Sequence, residues 1–131
     1  MKILVVDDSQ IFRESLKKIL TEFGYQDIQD AVDGREALLR LSQGRVDLVI
    51  LDWEMPNLSG LEVLREIRSS EKTKEVPVIM CTSHSDKKSI VEAMRAGVNG
   101  YILKPFEKET IKEKLKQIKN NEIMKQIKNA E

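Results

Sequence analysis

Three carboxylates, a hydroxyl and an ammonium stand at the ends of apolar runs in this 131-residue chain. "LVVDD" closes on Asp7 and Asp8, "LVILD" on Asp52, "VIMCT" on Thr82 and "YILK" on Lys104. Carboxylates held close repel one another unless positive charge lies between them. Oxygen-only ligands suit a hard cation, and Mg²⁺ takes one or two carboxylates, keeps waters and adds a phosphate oxygen. Lys104 offers a second positive charge for an anion, and Thr82 a hydrogen-bond donor. A cation, a lysine and a hydroxyl around one carboxylate are the parts of phosphoryl transfer, where positioning and charge neutralisation do most of the catalysis.

Those residues do chemistry together only if the fold gathers them. The apolar segments "KILVV" (2–6), "VDLVIL" (46–51), "VPVIMC" (76–81) and "GYIL" (100–103) lack polar alternation, as strands buried on both faces do. "DIQDAV" (27–32) alternates more and reads as an edge strand. Between the strands, apolar residues recur at helical spacing: Phe12, Leu16, Ile19, Leu20 and Phe23; Ala37, Leu38 and Leu41; Leu61, Leu64 and Ile67; Ile90, Val91 and Met94; Ile111, Leu115 and Ile118. Gly24, Gly44 and Gly97 follow helical runs, where a left-handed cap favours glycine. "DGRE" (33–36) and "SGLE" (59–62) have capping-box spacing.

Regular β-α alternation predicts an α/β fold: a single (βα)5 doubly wound parallel five-stranded sheet. Ligands of such a sheet bind beyond the carboxyl ends of its strands, which is where the five polar residues fall. Residues 1–119 are expected to form the domain. Residues 120–131 form a C-terminal extension, either a continuation of the last helix or a flexible tail.

Composition narrows the partners. Lys+Arg and Asp+Glu balance at 22 each, so bulk charge points to neither nucleic acid nor a membrane surface. No run approaches the ~20 apolar residues of a membrane span. The single cysteine, Cys81, forms no disulfide within the chain and fits a reducing, cytoplasmic setting. "CTSH" (81–84) has no further Cys or His to complete a zinc site. The phosphate-binding loop G-x-x-x-x-G-K-[ST] and the G-x-G-x-x-G fingerprint are absent.

With "LVVDDS", "LDWEMPNLSG", "VIMCTS" and "YILKPF" in this order, the chain resembles the receiver domains of bacterial two-component signalling, most of all the stand-alone chemotaxis (CheY-like) response regulators. The resemblance covers about residues 1–119 and implies a flavodoxin-like sheet with strand order 2-1-3-4-5. It implies that Asp52 is the phosphoacceptor, taking its phosphoryl group from a sensor histidine kinase or a small donor such as acetyl phosphate. Asp8 and Asp52 would bind Mg²⁺ directly (Mn²⁺ could substitute), with Asp7 acting through water and the Glu54 backbone carbonyl completing the protein's share. Lys104 would contact the acceptor or the phosphoryl oxygens, and Lys104–Pro105 would be a cis peptide.

Thr82 and Tyr101 would be the switch: the hydroxyl moves to the phosphoryl group and the aromatic ring turns inward. The fourth helix, fifth strand and fifth helix, with Lys87, Lys88, Glu92, Tyr101, Lys108 and Lys112, would then dock a target protein, with a flagellar-motor switch component as candidate and a phosphatase as a further partner. Glu54 and His84 would face each other over the pocket mouth and modulate the phosphoryl lifetime. Such a protein is not an enzyme on external substrates. It catalyses only its own phosphorylation and dephosphorylation. The alternative is a phosphorelay shuttle that passes the group to a histidine phosphotransfer protein.

Overall fold

Apolar runs covered on both sides build the centre of the sheet. The computed structural model describes residues 1–130. In it β1 (Lys2–Val6), β3 (Leu48–Leu51) and β4 (Val78–Thr82) are buried almost throughout. β2 (Asp27–Ala31) and β5 (Gly100–Leu103) are more exposed and form the two edges. All pairings are parallel, in the order β2-β1-β3-β4-β5. This is the doubly wound, flavodoxin-like arrangement.

Side chains alternate along a strand, so each strand feeds two cores. Ile3, Val5, Leu48, Ile50 and Ile79 pack beneath α1 (Gln10–Glu22) and α5 (Lys108–Ala130). Leu4, Val6, Val49, Leu51 and Met80 face α2 (Gly34–Gln43) and α3 (Gly60–Ser69). α4 (Lys87–Arg95) lies before the edge strand β5.

Several details differ from the sequence reading. β3 and β4 each begin two residues later than the apolar runs suggest; Pro77 precedes β4 and has no N–H for a ladder. Gly44 is extended at φ −172° rather than left-handed, whereas Gly24 and Gly97 both have φ 95°. Only Ser59–Glu62 forms the complete capping box. Asp33 accepts the Glu36 N–H, but the Glu36 carboxylate turns to Arg40 instead. α4 fully buries only Ser89 and Ala93; Ile90 and Val91 are half-buried and Met94 is 65% exposed. α5 runs unbroken to Ala130.

Candidate functional site

Backbone bonds carry the ladder one residue past the strands and thereby aim the polar side chains. The Asp7 N–H donates to the Ala31 carbonyl, the Asp52 N–H to Val6 (2.9 Å), and the Lys104 N–H to Thr82 (2.9 Å). Carboxylate oxygens of Asp7, Asp8 and Asp52 lie within 4.8 Å of one another. Asp7 and Asp52 are buried and Asp8 is exposed. The Lys104 ammonium donates to Asp7 Oδ2 at 2.7 Å and sits 3.4 Å from Asp52 Oδ1. Asp7 Oδ1 accepts the Ser9 N–H at 2.8 Å. These groups line a groove of about 820 Å³ together with Phe12, Glu54 and Ser83.

One lysine does not neutralise three carboxylates. Burial, and then the charge of Asp7, push the Asp52 pKa up to about 6 against the opposing pull of Lys104. Burial works against the Lys104 ammonium, but its bond to Asp7 and the charges of Asp52 and Asp7 outweigh that and raise its pKa. The site therefore carries surplus negative charge in a partly desolvated groove. A divalent cation with oxygen preference fits that charge and donor set. Both Asp7 oxygens already accept bonds and Asp52 meets Lys104 and the Trp53 N–H, so the exposed Asp8 has the freest oxygens. Cys81, whose thiol burial pushes up to about 12, is an inert core group.

The second layer of the site converges on His84. Its N–H donates to Thr82 Oγ1 (3.2 Å) and its carbonyl accepts the Tyr101 hydroxyl (2.7 Å). Its ring stacks on Trp53, with centroids 5.0 Å apart and planes 10° off parallel. Nε2 lies 2.5 Å from Glu54 Oε1. Thus the side chain of His84 ties the loop after β4 to the loop after β3, while its backbone holds both Thr82 and Tyr101. The Lys104–Pro105 peptide is cis.

Sequence reasoning did not find three supports. Phe12 places its ring 3.9 Å beneath the Lys104 ammonium, a cation–π contact. Arg13 donates to the Asp7 carbonyl at 2.8 Å and pairs with Asp30. The Trp53–His84 stack is the third. An aromatic four residues after Asp8, on the first turn of a helix, was the one available signal. Of the lysines assigned to the face of the fourth helix, fifth strand and fifth helix, Lys108 pairs with Glu22 of α1, and Lys112 shares a groove with Phe23 and Tyr25.

The profile of the response regulator receiver domain matches residues 3–116. Over 118 residues the chain is 46% identical to the chemotaxis protein CheY-3 of Vibrio cholerae, covering 90% of this chain and 91% of that protein. It is 42% identical to the chemotaxis protein CheY of Pseudomonas aeruginosa, covering 90% and 95%. Among solved structures, CheY4 of Vibrio cholerae superposes with a TM-score of 0.84 at 33% identity, covering 89% of this chain and 97% of that one. The response regulator TrrA of Thermotoga maritima, in complex with Mg²⁺–BeF, gives a TM-score of 0.79 at 45% identity, covering 90% and 99%.

Proposed function

The chain belongs to the response regulator receiver family, and from that premise we propose that it is a single-domain, cytoplasmic response regulator of chemotaxis whose Asp52 accepts a phosphoryl group from a histidine kinase. The observation that carries this reading is the buried Asp52 beside Asp7, Asp8 and Lys104, with its pKa held near 6. At neutral pH such a carboxylate is mostly ionised yet poorly solvated, and so is nucleophilic. One of its oxygens attacks the phosphorus of the phosphohistidine; the P–N bond breaks, and the imidazole leaves with the electron pair and takes a proton. Lys104 is close enough to follow the charge onto the phosphoryl oxygens. Thr82, which now accepts from the His84 N–H, has its own proton to donate to one of them.

Mg²⁺, or Mn²⁺ in its place, would be held by Asp8 and Asp52, with Asp7 through water and the Glu54 carbonyl, and supplies the positive charge that offsets carboxylates and phosphoryl oxygens together. The bond from Tyr101 to the backbone of His84 supports a binding switch rather than a shuttle, because a shift of Thr82 would be felt at an aromatic on the edge strand. The docking face built from α4, β5 and α5, and a motor component or phosphatase as its partner, belong to this same reading. Intact mass after acetyl phosphate and Mg²⁺ tests it. One phosphoryl group (roughly 80 Da) should be gained with Mg²⁺ and lost with a chelator; no gain under either condition overturns it.

A pH effect follows from Asp52. Its pKa rises on folding from 3.8 to about 6, so its contribution to stability is full below 3.8 and lost as pH climbs through about 6. Without divalent cation the melting temperature should therefore fall between pH 5 and 7. Saturating Mg²⁺ should reverse that fall, adding about 2.7 kcal/mol at a hundredfold excess over Kd, and do little at pH 5. An equal Mg²⁺ effect at both pH values, read by thermal unfolding, would count against a cation held by Asp52.

Glu54 and His84 close over the groove mouth, so loosening them should admit water. His84→Ala is expected to shorten the phosphoryl lifetime roughly fivefold, about 1 kcal/mol, with Glu54→Ala similar and the double variant no worse than either. Decay of the phosphorylated mass peak measures this, and an unchanged lifetime would remove the pair from the mechanism.

A further inference from the structure

α5 has two faces of different chemistry. Ile111, Leu115 and Ile118 are buried against the sheet. Lys112, Lys116, Lys119 and Ile123 follow at spacings of four, three and four, and Ile127 adds a further turn. At about 100° per residue, this second line lies roughly a third of the way round the helix from the buried stripe. Its lysines border a groove of about 410 Å³ between α1 and α5, walled by Phe23, Tyr25 and Leu115. Glu22 at the groove's end is already taken by Lys108 (2.7 Å). Among the described residues, Lys112, Lys116 and Lys119 form no ion pair.

A face evolved only for solvent gains by alternating signs at i and i+4. Here like charges occupy those positions, at a cost to the helix. α5 carries seven lysines against three glutamates, although the chain as a whole balances its charges at 22 each. Ile123 (46%) and Ile127 (51%) are exposed directly in line with the basic row. Lone exposed isoleucines are ordinary; two that continue a basic row beside an aromatic groove make a graded track, positive and then apolar.

We infer that the α1–α5 groove and the C-terminal half of α5 form a docking track for an acidic amphipathic helix of a partner protein. The partner's carboxylates lie over Lys112, Lys116 and Lys119, and its apolar side chains over Ile123 and Ile127; a helix acidic in its first half and apolar in its second would run parallel to α5. A ridge-and-groove surface of this width suits a third helix, and the unpaired ammonium groups steer a negative partner toward it. No hydrogen bond or ion pair links Lys112, Lys116 or Lys119 to Thr82, His84 or Tyr101, so docking here is expected to be the same with and without phosphorylation. That separates it from the switch face: one surface holds a partner constantly while the other reports the state of Asp52.

The probe is a labelled synthetic helix with glutamates along one face of its first half and leucines along the same face of its second. A scrambled helix and a helix with lysine for glutamate serve as controls, and fluorescence anisotropy is read with the full chain. The expected result is saturable binding of the acidic helix alone, unchanged by acetyl phosphate and Mg²⁺. Binding should weaken at least tenfold in K112E/K116E/K119E and in Ile123→Ser/Ile127→Ser. Circular dichroism, together with the phosphorylation yield, checks that both variants fold. Equal binding of the scrambled helix, or unchanged binding by either variant, overturns the proposal. So does binding of anionic phospholipid vesicles with no binding of the helix, which would make this a membrane-facing surface.

Discussion

Asp52→Asn is expected to show no mass gain with acetyl phosphate and Mg²⁺, and at pH 8 without cation to unfold later than the wild type. The two halves have one cause. The amide oxygen carries no charge and is a poor nucleophile, so the acyl phosphate does not form. The same substitution removes an ionised group that burial and Asp7 disfavour. From 3.8 to about 6, the native state penalises that charge by up to about 3 kcal/mol once the pH is well above 6. Asparagine should recover roughly 1–3 kcal/mol of it. The gain should shrink toward pH 5, where Asp52 is protonated in the folded protein. Mg²⁺ should stabilise the wild type and leave the variant nearly unaffected, read both by melting temperature and by the fluorescence of the adjacent Trp53. A variant that still gains mass would move the acceptor to Asp7 or Asp8. A variant no more stable than wild type at pH 8 would mean that Lys104 already balances the site. Functional groups of this kind are held against the interest of stability, and here the cost is localised to one carboxylate.

The positions of Asp7, Asp8, Asp52, Thr82 and Lys104 were legible because strand ends are. Each closes an apolar run, and a parallel sheet sends all such ends to one edge. What the sequence does not carry is partnership across distance. Lys104 and Asp7 are 97 positions apart, and nothing in the periodicity says which oxygen the ammonium takes; the contact of Glu54 with His84, 30 positions on, is expected from their places beside Asp52 and Thr82 in the resemblance, not from periodicity. Phe12 is part of a core stripe by spacing, yet its ring serves Lys104. Arg13 reads as one more exposed helix charge until the Asp7 carbonyl is found at its guanidinium.

The misread elements have similar causes. The spacing of α4 predicts a stripe of Ile90, Val91 and Met94, but the helix buries Ser89 and Ala93, covers Ile90 and Val91 only in part and leaves Met94 outside. Gly44 follows a helix as Gly24 does, but there the chain leaves extended toward β3, a conformation open to any residue. The course of α5 past Asn120 was obscured because its apolar residues change faces: the stripe of Ile111, Leu115 and Ile118 ends, and Ile123 and Ile127 begin on another side. A helix whose two halves face different surroundings has no single period to detect.

The largest stability effect should come from Gly60→Ala. Gly60 opens α3 and lies against the backbone that presents Asp52. An added Cβ would stand 2.1 Å from the Asp52 carbonyl oxygen, 2.8 Å from the Trp53 Cα and 2.9 Å from the Asp52 carbonyl carbon. All three are main-chain atoms, so no rotamer change relieves the contact. Nor can the loop easily drift. The Gly60 N–H donates to the Trp53 carbonyl at 2.7 Å, and the Ser59–Glu62 capping box fixes the first turn of the helix. Either α3 or the end of β3 must move, and β3 is bonded on both sides. Overpacking of this kind costs about 3 kcal/mol. A displacement near 1 Å at Asp52 should slow phosphorylation by roughly a hundredfold. Gly44→Ala is the control, since its Cβ meets nothing within 4 Å and its backbone is extended; it should stay within about 0.5 kcal/mol of wild type. Denaturant unfolding of the two variants, with initial rates of phosphorylation by acetyl phosphate, separates the cases. If Gly60→Ala behaves like Gly44→Ala, the loop after Asp52 has slack. A hundredfold slower reaction in a variant that still folds would mean that the placement of Asp52, beyond its mere presence, sets the rate.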